Sequence, residues 1–419
     1  MIDSKGSWHA IFDQKLKKLK DTGEYRVFRP IERINSGGQD WTTLFKKKEI
    51  LNFCSNDYLS MSTHPEVVDA AVSVVCSSGV GAGGSRNIAG SYLVHPILER
   101  ELADLHGYDQ GLVFTSGYLA NYVPLLSIGT HIPGLIFYSD EKNHASMIDA
   151  IGVVTRDQEL NCEKRIFRHN DVQHLAELMA ADDPQRPKLV VFESLYSVDA
   201  DQAPIQEICD VGIKHNALIF LNEVHTAGIY GPQGAGLLFE QGATTRPHIV
   251  VGTLGKSFGA IGGYMVGDET TVDFVRSFGR GFIFTTSLPP SIVAAATAAI
   301  RHLRESTSER DQMWDRVSYL KQLLNAGGIP FDGDSHIIPV MVGDAKKNSE
   351  LSNRLLDEGF LVTAINYPTV ARGTERLRVI TTPAHSRSDV KRFAEALDRL
   401  WTEFRLPRKK NSAERSICA

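Results

Sequence analysis

Short hydrophobic runs alternate with longer amphipathic stretches along most of the chain from about residue 50 onward. The runs end in polar residues and contain almost no polar position, so strands formed by them must be buried on both faces. Such strands are typical of a mainly parallel sheet wrapped by helices, which is the α/β fold class. The predicted strands are 111–114, 135–138, 189–192, 217–221, 249–251 and 263–266.

The two ends of the chain have different patterns. Hydrophobic residues at roughly helical spacing predict a short helix over 8–22. After about residue 296, a helix-rich stretch precedes short strands at 337–342, 361–363 and 377–379. We therefore expect an N-terminal helical and extended segment (1–49), a large α/β domain (50–295), a smaller C-terminal α+β domain (296–405) and a polar tail (406–419).

Composition argues against several classes of protein. Hydrophobic residues make up 42% of the 419 positions and the formal net charge is −5, which disfavours nucleic acid or an acidic membrane surface as the main partner. The five cysteines are widely spaced without a Cys-x-x-Cys pair, so we expect neither a metal site nor disulfides. Residues 1–20 lack the apolar core of a signal peptide, and no run reaches the ~18 apolar residues of a membrane span. We expect a cytoplasmic protein.

Two glycine-containing motifs match nucleotide sites only in part. Residues 79–84 fit GxGxxG but follow a helical pattern instead of a strand, which favours a loop that approaches a ligand over a nicotinamide site. Residues 255–257 end like a phosphate-binding P-loop, but Val250 stands where its first glycine is required. A nucleotide-triphosphate site is therefore not predicted.

Lys256 has a more specific context. It lies between glycines, directly after a hydrophobic strand, where a solvated surface lysine is not expected. A lysine in a ligand cleft loses its proton readily and forms a Schiff base with an aldehyde cofactor such as pyridoxal 5′-phosphate (PLP). PLP also needs a partner for its ring nitrogen and donors for its phosphate.

Other polar residues at predicted strand ends match these needs. Ligands of open α/β sheets bind beyond the carboxyl ends of the strands. Residues 116–118 follow one strand and can offer N–H groups to a phosphate at the start of a helix. His144 and His225 follow two others, and they could stack on the ring and reach its phenolic oxygen. Each histidine alone is more often structural, but together with Lys256 they favour a PLP site.

Five stretches carry a resemblance to a known family: 143–148, 192–199, 252–256, 282–290 and 366–378. Over about residues 20–403 the chain resembles the α-oxoamine synthases and, within them, the 5-aminolevulinate synthases, for which the last stretch is characteristic. The resemblance implies the fold-type I architecture of PLP-dependent transferases. It also implies condensation of glycine with succinyl-CoA to 5-aminolevulinate, CoA and CO2 in tetrapyrrole (haem) biosynthesis, by a homodimer with shared active sites.

The resemblance implies a role for each matching residue. Lys256 would act as the proton-transfer base, and His144 or His225 would donate to an oxyanion. Residues implied to bind PLP are Ser116, Gly117, Tyr118, His144, Ser197, Asn222, His225, Thr253, Lys256 and, from the neighbouring subunit, Thr285 and Thr286. Residues implied to bind substrate are Arg26, Ser85, Asn87, Ile88, Ser146, Thr369 and Arg378. Arg378 would hold the glycine carboxylate bidentately and Arg26 the distal carboxylate of the succinyl group.

One position departs from the family pattern. The family has Asp-Glu-Val-His where residues 222–225 read Asn-Glu-Val-His. The aspartate keeps the pyridine nitrogen protonated, and a protonated ring stabilises the glycine carbanion. Because Asn222 carries no charge, we expect slow carbanion formation. Glu223 is predicted to point to the other side of the strand end and not to substitute.

Three alternatives stay open from the sequence. The chain could use another acyl-CoA, it could make and cyclise aminolevulinate in secondary metabolism, or it could be a catalytically silent PLP-fold protein. Arg26 favours a dicarboxylic acyl group, and Asn222 is the feature that favours a silent protein.

Overall fold

The chain alternates helices and strands throughout the part described by the computed structural model, which is residues 4–22, 25, 28–37 and 40–409. The helices are α1 (Ser4–Asp21), α2 (Pro65–Ser78), α3 (Val94–His106), α4 (Gly117–His131), α5 (Ala145–Val154), α6 (Val172–Ala181), α7 (Ile205–Lys214), α8 (Leu237–Glu240), α9 (Glu269–Phe278), α10 (Arg280–Ile283), α11 (Pro290–Glu305), α12 (Ser308–Ala326), α13 (Ala345–Asp357) and α14 (Arg387–Glu403). The strands are β1 (Glu32–Gly37), β2 (Asp40–Phe45), β3 (Lys48–Asn52), β4 (Gln110–Phe114), β5 (Ile136–Asp140), β6 (Glu163–Phe167), β7 (Lys188–Glu193), β8 (Ala217–Asn222), β9 (Ile249–Thr253), β10 (Gly263–Gly267), β11 (Ile337–Met341), β12 (Phe360–Leu361), β13 (Thr363–Ile365) and β14 (Arg376–Ile380).

A seven-stranded sheet in the order β4-β10-β9-β8-β7-β5-β6 forms the centre of the large domain. All its strands are parallel except β10, which runs antiparallel to both β4 and β9. The six strands predicted from hydrophobic runs are confirmed, as is the α/β fold class. The sequence pattern did not predict β6, because its residues alternate between buried and more exposed positions at the sheet edge.

The central sheet is buried on both faces, as its composition predicted. Val190 and Phe192 of β7 pack into one hydrophobic core, whereas Leu189 and Val191 between them pack into a second core on the opposite face. Successive side chains of a strand point to opposite faces, so one continuous apolar run supplies both cores. This packing makes the carboxyl edge of the sheet a rigid platform.

Two smaller sheets join the ends of the chain. Strands β11, β14 and β13 form an antiparallel sheet in the C-terminal region, where a separate sheet was predicted but not its direction; the predicted strand 361–363 is divided between β12 and β13. Strand β12 instead pairs in parallel with β3, in a sheet that also contains β1 and β2. The N-terminal strands therefore form a sheet with a C-terminal one, a pairing distant in sequence that local patterns do not reveal.

Secondary structure crosses several of the predicted domain boundaries. Helix α11 is continuous across position 295 and packs against both α2 and α3. After α14, Lys409 donates its backbone N–H to Gly328 O at 2.8 Å, so residues 406–409 stay attached to the domain. Residues 410–419 lie outside the described part, and the boundaries themselves stay a prediction. Among the described helices, none has the length and hydrophobicity that crossing a bilayer requires.

Candidate active site

The carboxyl ends of β4, β7, β8 and β9 lie along one edge of the central sheet. The pairing registers place Glu193 beside Asn222, and Asn222 beside Val251. The reversed strand β10 begins at the same edge, where Gly263 pairs with Thr253. Residues that follow these strands therefore converge at the edge where open α/β sheets bind ligands.

The start of α4 forms a potential phosphate site at this edge. Ser116 is the N-cap of α4, and its hydroxyl accepts the N–H of Leu119 at 3.2 Å. The first N–H groups of a helix have no partner within the helix, and the helix dipole favours an anion there. A Cβ atom at Gly117 would lie 3.0 Å from Thr253 Oγ1, so glycine permits this close approach of α4 to β9. Ser116, Gly117, Tyr118 and Thr253 thus lie together, and their binding to a phosphate stays a prediction.

Lys256 and His225 are hydrogen-bonded, with Nζ and Nε2 2.7 Å apart. Burial lowers the pKa of Lys256 to about 7, assisted by the positive charge of Arg378 and opposed by Glu193. Burial, followed by the charges of Lys256 and Arg378, holds the pKa of His225 well below its ordinary value. A large fraction of Lys256 is therefore unprotonated at neutral pH, which is the form required of a base or a nucleophilic amine.

Tyr58 connects this pair to Arg378. The Tyr58 hydroxyl lies 2.8 Å from His225 Nδ1 and accepts a hydrogen bond from Arg378 at 3.0 Å. Arg378 also donates to the Ser197 carbonyl at 2.9 Å and to Asn56 Oδ1 at 2.9 Å. Arg378 belongs to β14, so these bonds join the C-terminal sheet to the edge that carries Lys256. A half-buried guanidinium in this position can receive a substrate carboxylate.

A second hydrogen-bonded chain runs from Asn222 to His144. Asn222 Nδ2 donates to Asn121 Oδ1 at 3.1 Å, and Asn121 Nδ2 donates to Ser146 Oγ at 3.1 Å. Ser146 Oγ lies 2.7 Å from His144 Nδ1, which also accepts the Ser146 N–H at 3.2 Å. Because Nδ1 is an acceptor, the proton of neutral His144 is on Nε2. The hydrogen bonds between Asn222 and His144 therefore all donate in the same direction, beginning with the amide N–H of Asn222.

Burial and electrostatics keep His144 neutral beside an acidic neighbour. Desolvation and the charge of Lys256 lower the pKa of His144. Its backbone N–H donates to Glu193 Oε1 at 2.6 Å. Burial raises the pKa of Glu193 to about 8, although the Lys256 charge opposes this effect. Glu193 is thus a buried carboxyl that can hold a proton near neutral pH.

Glu223 does not face the same side of the strand end as Asn222, as predicted. Its carboxylate accepts the N–H groups of Leu237 at 3.0 Å and Leu238 at 2.8 Å, at the start of α8. Burial raises the pKa of Glu223 to about 7, and these N–H groups lower it. The carboxylate is therefore occupied in the fold and does not replace the missing aspartate.

The loop that carries Ser197 is attached to both domains. His169 lies 2.9 Å from Asp140 Oδ1 and 2.6 Å from Asp201 Oδ2. Burial alone would lower the pKa of His169, but the hydrogen bonds to the two aspartates raise it to about 9. Arg376 of the C-terminal sheet pairs with Asp199 at 3.0 Å on the same loop. These ion pairs fix the loop over the site.

The segments predicted to bind substrate and, through Thr285 and Thr286 of the neighbouring subunit, the PLP phosphate lie further out. Ser85 and Thr286 form an isolated antiparallel bridge, and Ser287 N donates to Gly84 O at 3.0 Å. Asn87, Ile88 and Thr286 are exposed, whereas Thr285 is half-buried in a cavity that also contains Phe114 and Thr115. Thr369 is exposed in the loop between β13 and β14. Arg26 lies outside the described residues, and the acyl-binding roles stay predictions.

Sequence reasoning gave no role to four residues of the site, namely Asn56, Tyr58, Asn121 and Glu193. Tyr58 is fully buried between His225 and Arg378, although it precedes them by 167 and 320 residues. The polar run 55–58 directly after β3 was the available signal, since it resembles the polar residues that follow the central strands. The role of Asn121 could not be predicted from the sequence, because a single asparagine in a helix is common.

The donor set fits PLP, with one exception. Lys256 is a partly unprotonated amine, and residues 116–118 offer a helix N-terminus to a phosphate. His225 contacts the lysine directly, and the charge of the lysine acts on His144. The exception is Asn222, whose neutral amide occupies the buried end of β8. An amide can hydrogen-bond a ring nitrogen but does not stabilise its protonated form as a carboxylate does.

Comparisons with known proteins agree with this geometry. Residues 48–397 match the family of class I and II aminotransferases. The chain is 45% identical to the 5-aminolevulinate synthase of Bradyrhizobium diazoefficiens, over 97% of this chain and 98% of the relative, and 46% identical to that of Rhizobium meliloti, over 96% and 99%. A solved structure of SPT (serine palmitoyltransferase) with PLP has a TM-score of 0.86 at 30% identity, over 96% of this chain and 99% of that chain. The chain belongs to the 5-aminolevulinate synthases, within the class I and II aminotransferase family.

Proposed function

We propose that this protein condenses glycine with succinyl-CoA to form 5-aminolevulinate, CoA and CO2, with PLP as cofactor. The observation that carries the proposal is the connection of Lys256, His225, Tyr58 and Arg378, which puts a partly unprotonated amine and a carboxylate-binding guanidinium in one hydrogen-bonded group. The two bacterial relatives reported above are both named 5-aminolevulinate synthase. The alternatives, another acyl-CoA, a cyclising enzyme or a silent protein, are not favoured by them.

Glycine is positioned by Arg378 and deprotonated by Lys256. The planar guanidinium binds the glycine carboxylate and orients the α-carbon toward the lysine, an effect of orientation as much as of affinity. Lys256 then removes an α-proton and later returns one, which its pKa of about 7 permits near neutral pH. When bound, PLP supplies the electrophilic carbon that takes up the amine and the ring that stabilises negative charge on the α-carbon. His225, held neutral, keeps the lysine amine in place.

His144 is placed to assist acyl transfer. Its Nδ1 is occupied by Ser146, so its Nε2–H is available to donate to the oxygen of the thioester as negative charge develops there. CoA leaves as the carbon–carbon bond forms, and the β-keto acid then loses CO2. Ser197 and Thr253 would contact the cofactor, and Ser85 and Asn87 the succinyl group. Ser146 supports His144 from a fully buried position.

The activity is tested directly by product analysis. PLP-loaded protein is incubated with glycine and succinyl-CoA, and aminolevulinate is quantified by mass spectrometry, with acetyl-CoA and pimeloyl-CoA in parallel. We expect aminolevulinate with succinyl-CoA as the best acyl donor. Preferential product formation with either other thioester would contradict the substrate assignment, and absence of any product would contradict the synthase activity.

We also infer that the protein acts as a homodimer whose partner subunit covers the outer segments. Several hydrophobic side chains on or beside the Ser85–Thr286 bridge are largely exposed in the single chain: Val80, Ile88, Leu93 and Phe284. The apolar residues of α1, including Trp8 and Phe12, are exposed as well. Exposed apolar patches of this kind mark protein–protein interfaces, and a shared interface is consistent with the predicted contribution of Thr285 and Thr286 from the neighbouring subunit.

Phe284→Glu is expected to prevent dimer formation, since it would bury a charge without a partner in the interface. We expect the variant to sediment as a monomer and to lose most of its activity. Ile213→Glu, at an exposed hydrophobic position at the end of α7, is the matched control. A dimeric, fully active Phe284→Glu protein would contradict the inferred interface.

A further inference from the structure

Two histidines and a glutamate meet away from the active site, where α2, α11 and α12 converge. His64 is the N-cap of α2, His302 lies in the last turn of α11 and Glu309 in the first turn of α12. One donor atom from each residue lies within 4.8 Å of the other two. The two imidazole rings are in contact, with their centroids 4.2 Å apart.

Two of these imidazole nitrogens have no hydrogen bond. Among the described residues, His64 Nδ1 and His302 Nε2 are buried atoms without a hydrogen-bond partner. His302 Nε2 lies 3.2 Å from Glu309 Oε1, but this contact lacks hydrogen-bond alignment. Buried polar atoms are nearly always hydrogen-bonded, so two such nitrogens in one cluster indicate a missing ligand.

Ion pairing of a protonated His302 explains only part of this arrangement. His302 Nδ1 lies 3.4 Å from Glu66 Oε2, so an imidazolium could pair with Glu66 and Glu309 together. That pairing leaves His64 Nδ1 without a partner. The His64 ring therefore keeps one buried nitrogen that no group among the described residues satisfies. A neutral imidazole with a free nitrogen is the form that binds a metal ion.

We propose that His64, His302 and Glu309 bind a divalent transition-metal ion of the zinc class. Two imidazole nitrogens and one carboxylate oxygen form a ligand set that Zn²⁺ accepts, with water in the fourth position. The donor atoms lie within 4.8 Å of one another, and binding would bring them to about 3.4 Å, the edge of a tetrahedron with bonds of about 2.1 Å.

Neighbouring groups already orient two of the ligands. The Ser306 hydroxyl donates to Glu309 Oε2 at 2.7 Å, which leaves Oε1 toward His302. Glu66 lies on the Nδ1 side of His302, opposite the nitrogen that faces Glu309. This is the carboxylate–histidine–metal arrangement that sets the tautomer and orientation of metal-bound histidines.

The bound ion would connect three elements around the turn at 306–307. Helix α11 packs against α2 and leads into α12, the first helix after the predicted domain boundary. An ion held by all three would fix the start of α12 relative to the large domain and raise thermal stability by mass action. The proposal is independent of PLP and of the reaction assigned to Lys256.

Zinc binding to the PLP-loaded protein tests this site. Protein dialysed against EDTA and then buffer is titrated with Zn²⁺, the bound metal is measured by plasma mass spectrometry, and the melting temperature is recorded. We expect one high-affinity Zn²⁺ per chain and a higher melting temperature. His64→Ala and His302→Ala should each weaken binding by more than about 100-fold, while Glu66→Gln should weaken it by about 10–100-fold.

The matched control is His9→Ala, which removes an exposed histidine of α1 and should leave binding unchanged. Glu66→Gln changes an exposed side chain, so it reports on the site even if a histidine variant misfolds. Unchanged Zn²⁺ affinity in Glu66→Gln and in a folded His302→Ala variant would overturn the proposal. Absence of stoichiometric Zn²⁺ from the unmodified protein would also overturn it.

Discussion

The inner and outer regions of the site differ in how completely one chain builds them. The inner region consists of buried or half-buried residues in two hydrogen-bonded groups. One group contains Lys256, His225, Tyr58 and Arg378, and the other begins at Asn222. The outer region is a pair of bridged segments, in which Asn87, Ile88 and Thr286 are exposed and Ser85 and Thr285 are half-buried. The groups proposed for proton transfer at glycine therefore lie within a single chain, whereas the outer residues predicted to bind the acyl group, or the PLP phosphate of the neighbouring subunit, lie on a largely exposed surface.

This difference predicts separable effects. Changes in the inner region should alter chemistry at glycine whatever the acyl donor, and changes in the outer region should alter acyl-CoA use or assembly first. Strand ends fixed by two hydrophobic cores suit the inner role, because proton transfer depends on positions held to a fraction of an ångström. The outer segments expose Asn87, Ile88 and Thr286, which suits a surface completed on assembly.

The largest expected effect is that of Lys256→Ala. We expect kcat to fall by at least about 10²–10⁴-fold, because the base and the amine that anchors the cofactor are lost together. Aminolevulinate formation by the PLP-loaded protein measures the effect. Lys391→Ala, which removes an exposed lysine of α14, should leave activity unchanged. Retention of most activity in Lys256→Ala would refute its assignment to the inner region.

Arg378→Lys should raise the KM for glycine by about 10–100-fold, because an ammonium replaces a planar guanidinium that can bind a carboxylate bidentately. The KM for succinyl-CoA should change little, which separates this residue from the outer region. Steady-state kinetics with each substrate varied in turn checks both values. Arg354→Lys, at an exposed surface ion pair with Glu403, is the matched control. A larger change in the KM for succinyl-CoA than in the KM for glycine would contradict the assignment of Arg378 to the inner region.

Asn222→Asp should raise kcat about tenfold, since a charged hydrogen bond to the protonated ring nitrogen is stronger than an amide bond by roughly 1.4 kcal/mol. The aspartate cannot donate to Asn121, so the Asn121 amide must turn and the chain toward His144 must change direction. We expect the melting temperature to fall without PLP and the stabilisation by PLP to increase. Stability measured with and without PLP therefore tests the role of Asn222 apart from activity. An unchanged PLP-dependent stabilisation would contradict it.

The smallest expected effect is on stability, through His169 on the loop that carries Ser197. Its pKa in the fold, about 9, lies above the ordinary value of 6.5, so its stabilisation is complete below pH 6.5 and is lost as pH rises through 9. Asp201→Asn should lower the melting temperature by about 1 °C at pH 6, corresponding to roughly 1 kcal/mol in a chain of this length. The difference from the unmodified protein should shrink toward pH 10. A difference that is constant between pH 6 and 10 would rule out this ion pair as its source.

The sequence predicted the parts of the molecule that depend on local pattern. The hydrophobic runs ending before Thr115, Glu193 and Asn222 identified central strands, because a strand buried on both faces must be apolar throughout. Lys256 was recognisable for a related reason, since it follows such a strand between glycines. His144 and His225 were predicted to be functional only because both follow central strands.

The remaining features depend on contacts between distant residues. Tyr58 and Arg378 meet only because β14 is brought to the edge of the large domain, and neither residue type predicts the other. The antiparallel direction of β10 and the pairing of β12 with β3 are likewise set by tertiary packing. His64 and His302 come together from α2 and α11 with no metal-binding spacing in the sequence.

The most direct test of the central claim is exchange of a glycine α-hydrogen with deuterium from the solvent. The exchange is monitored by NMR in D2O, with no succinyl-CoA present. The account predicts exchange catalysed by the PLP-loaded protein, slower than in Asn222→Asp, abolished in Lys256→Ala and unaffected by Asn87→Ala. Exchange that persists in Lys256→Ala, or that requires succinyl-CoA, would contradict the claim that the inner region alone performs proton transfer at glycine.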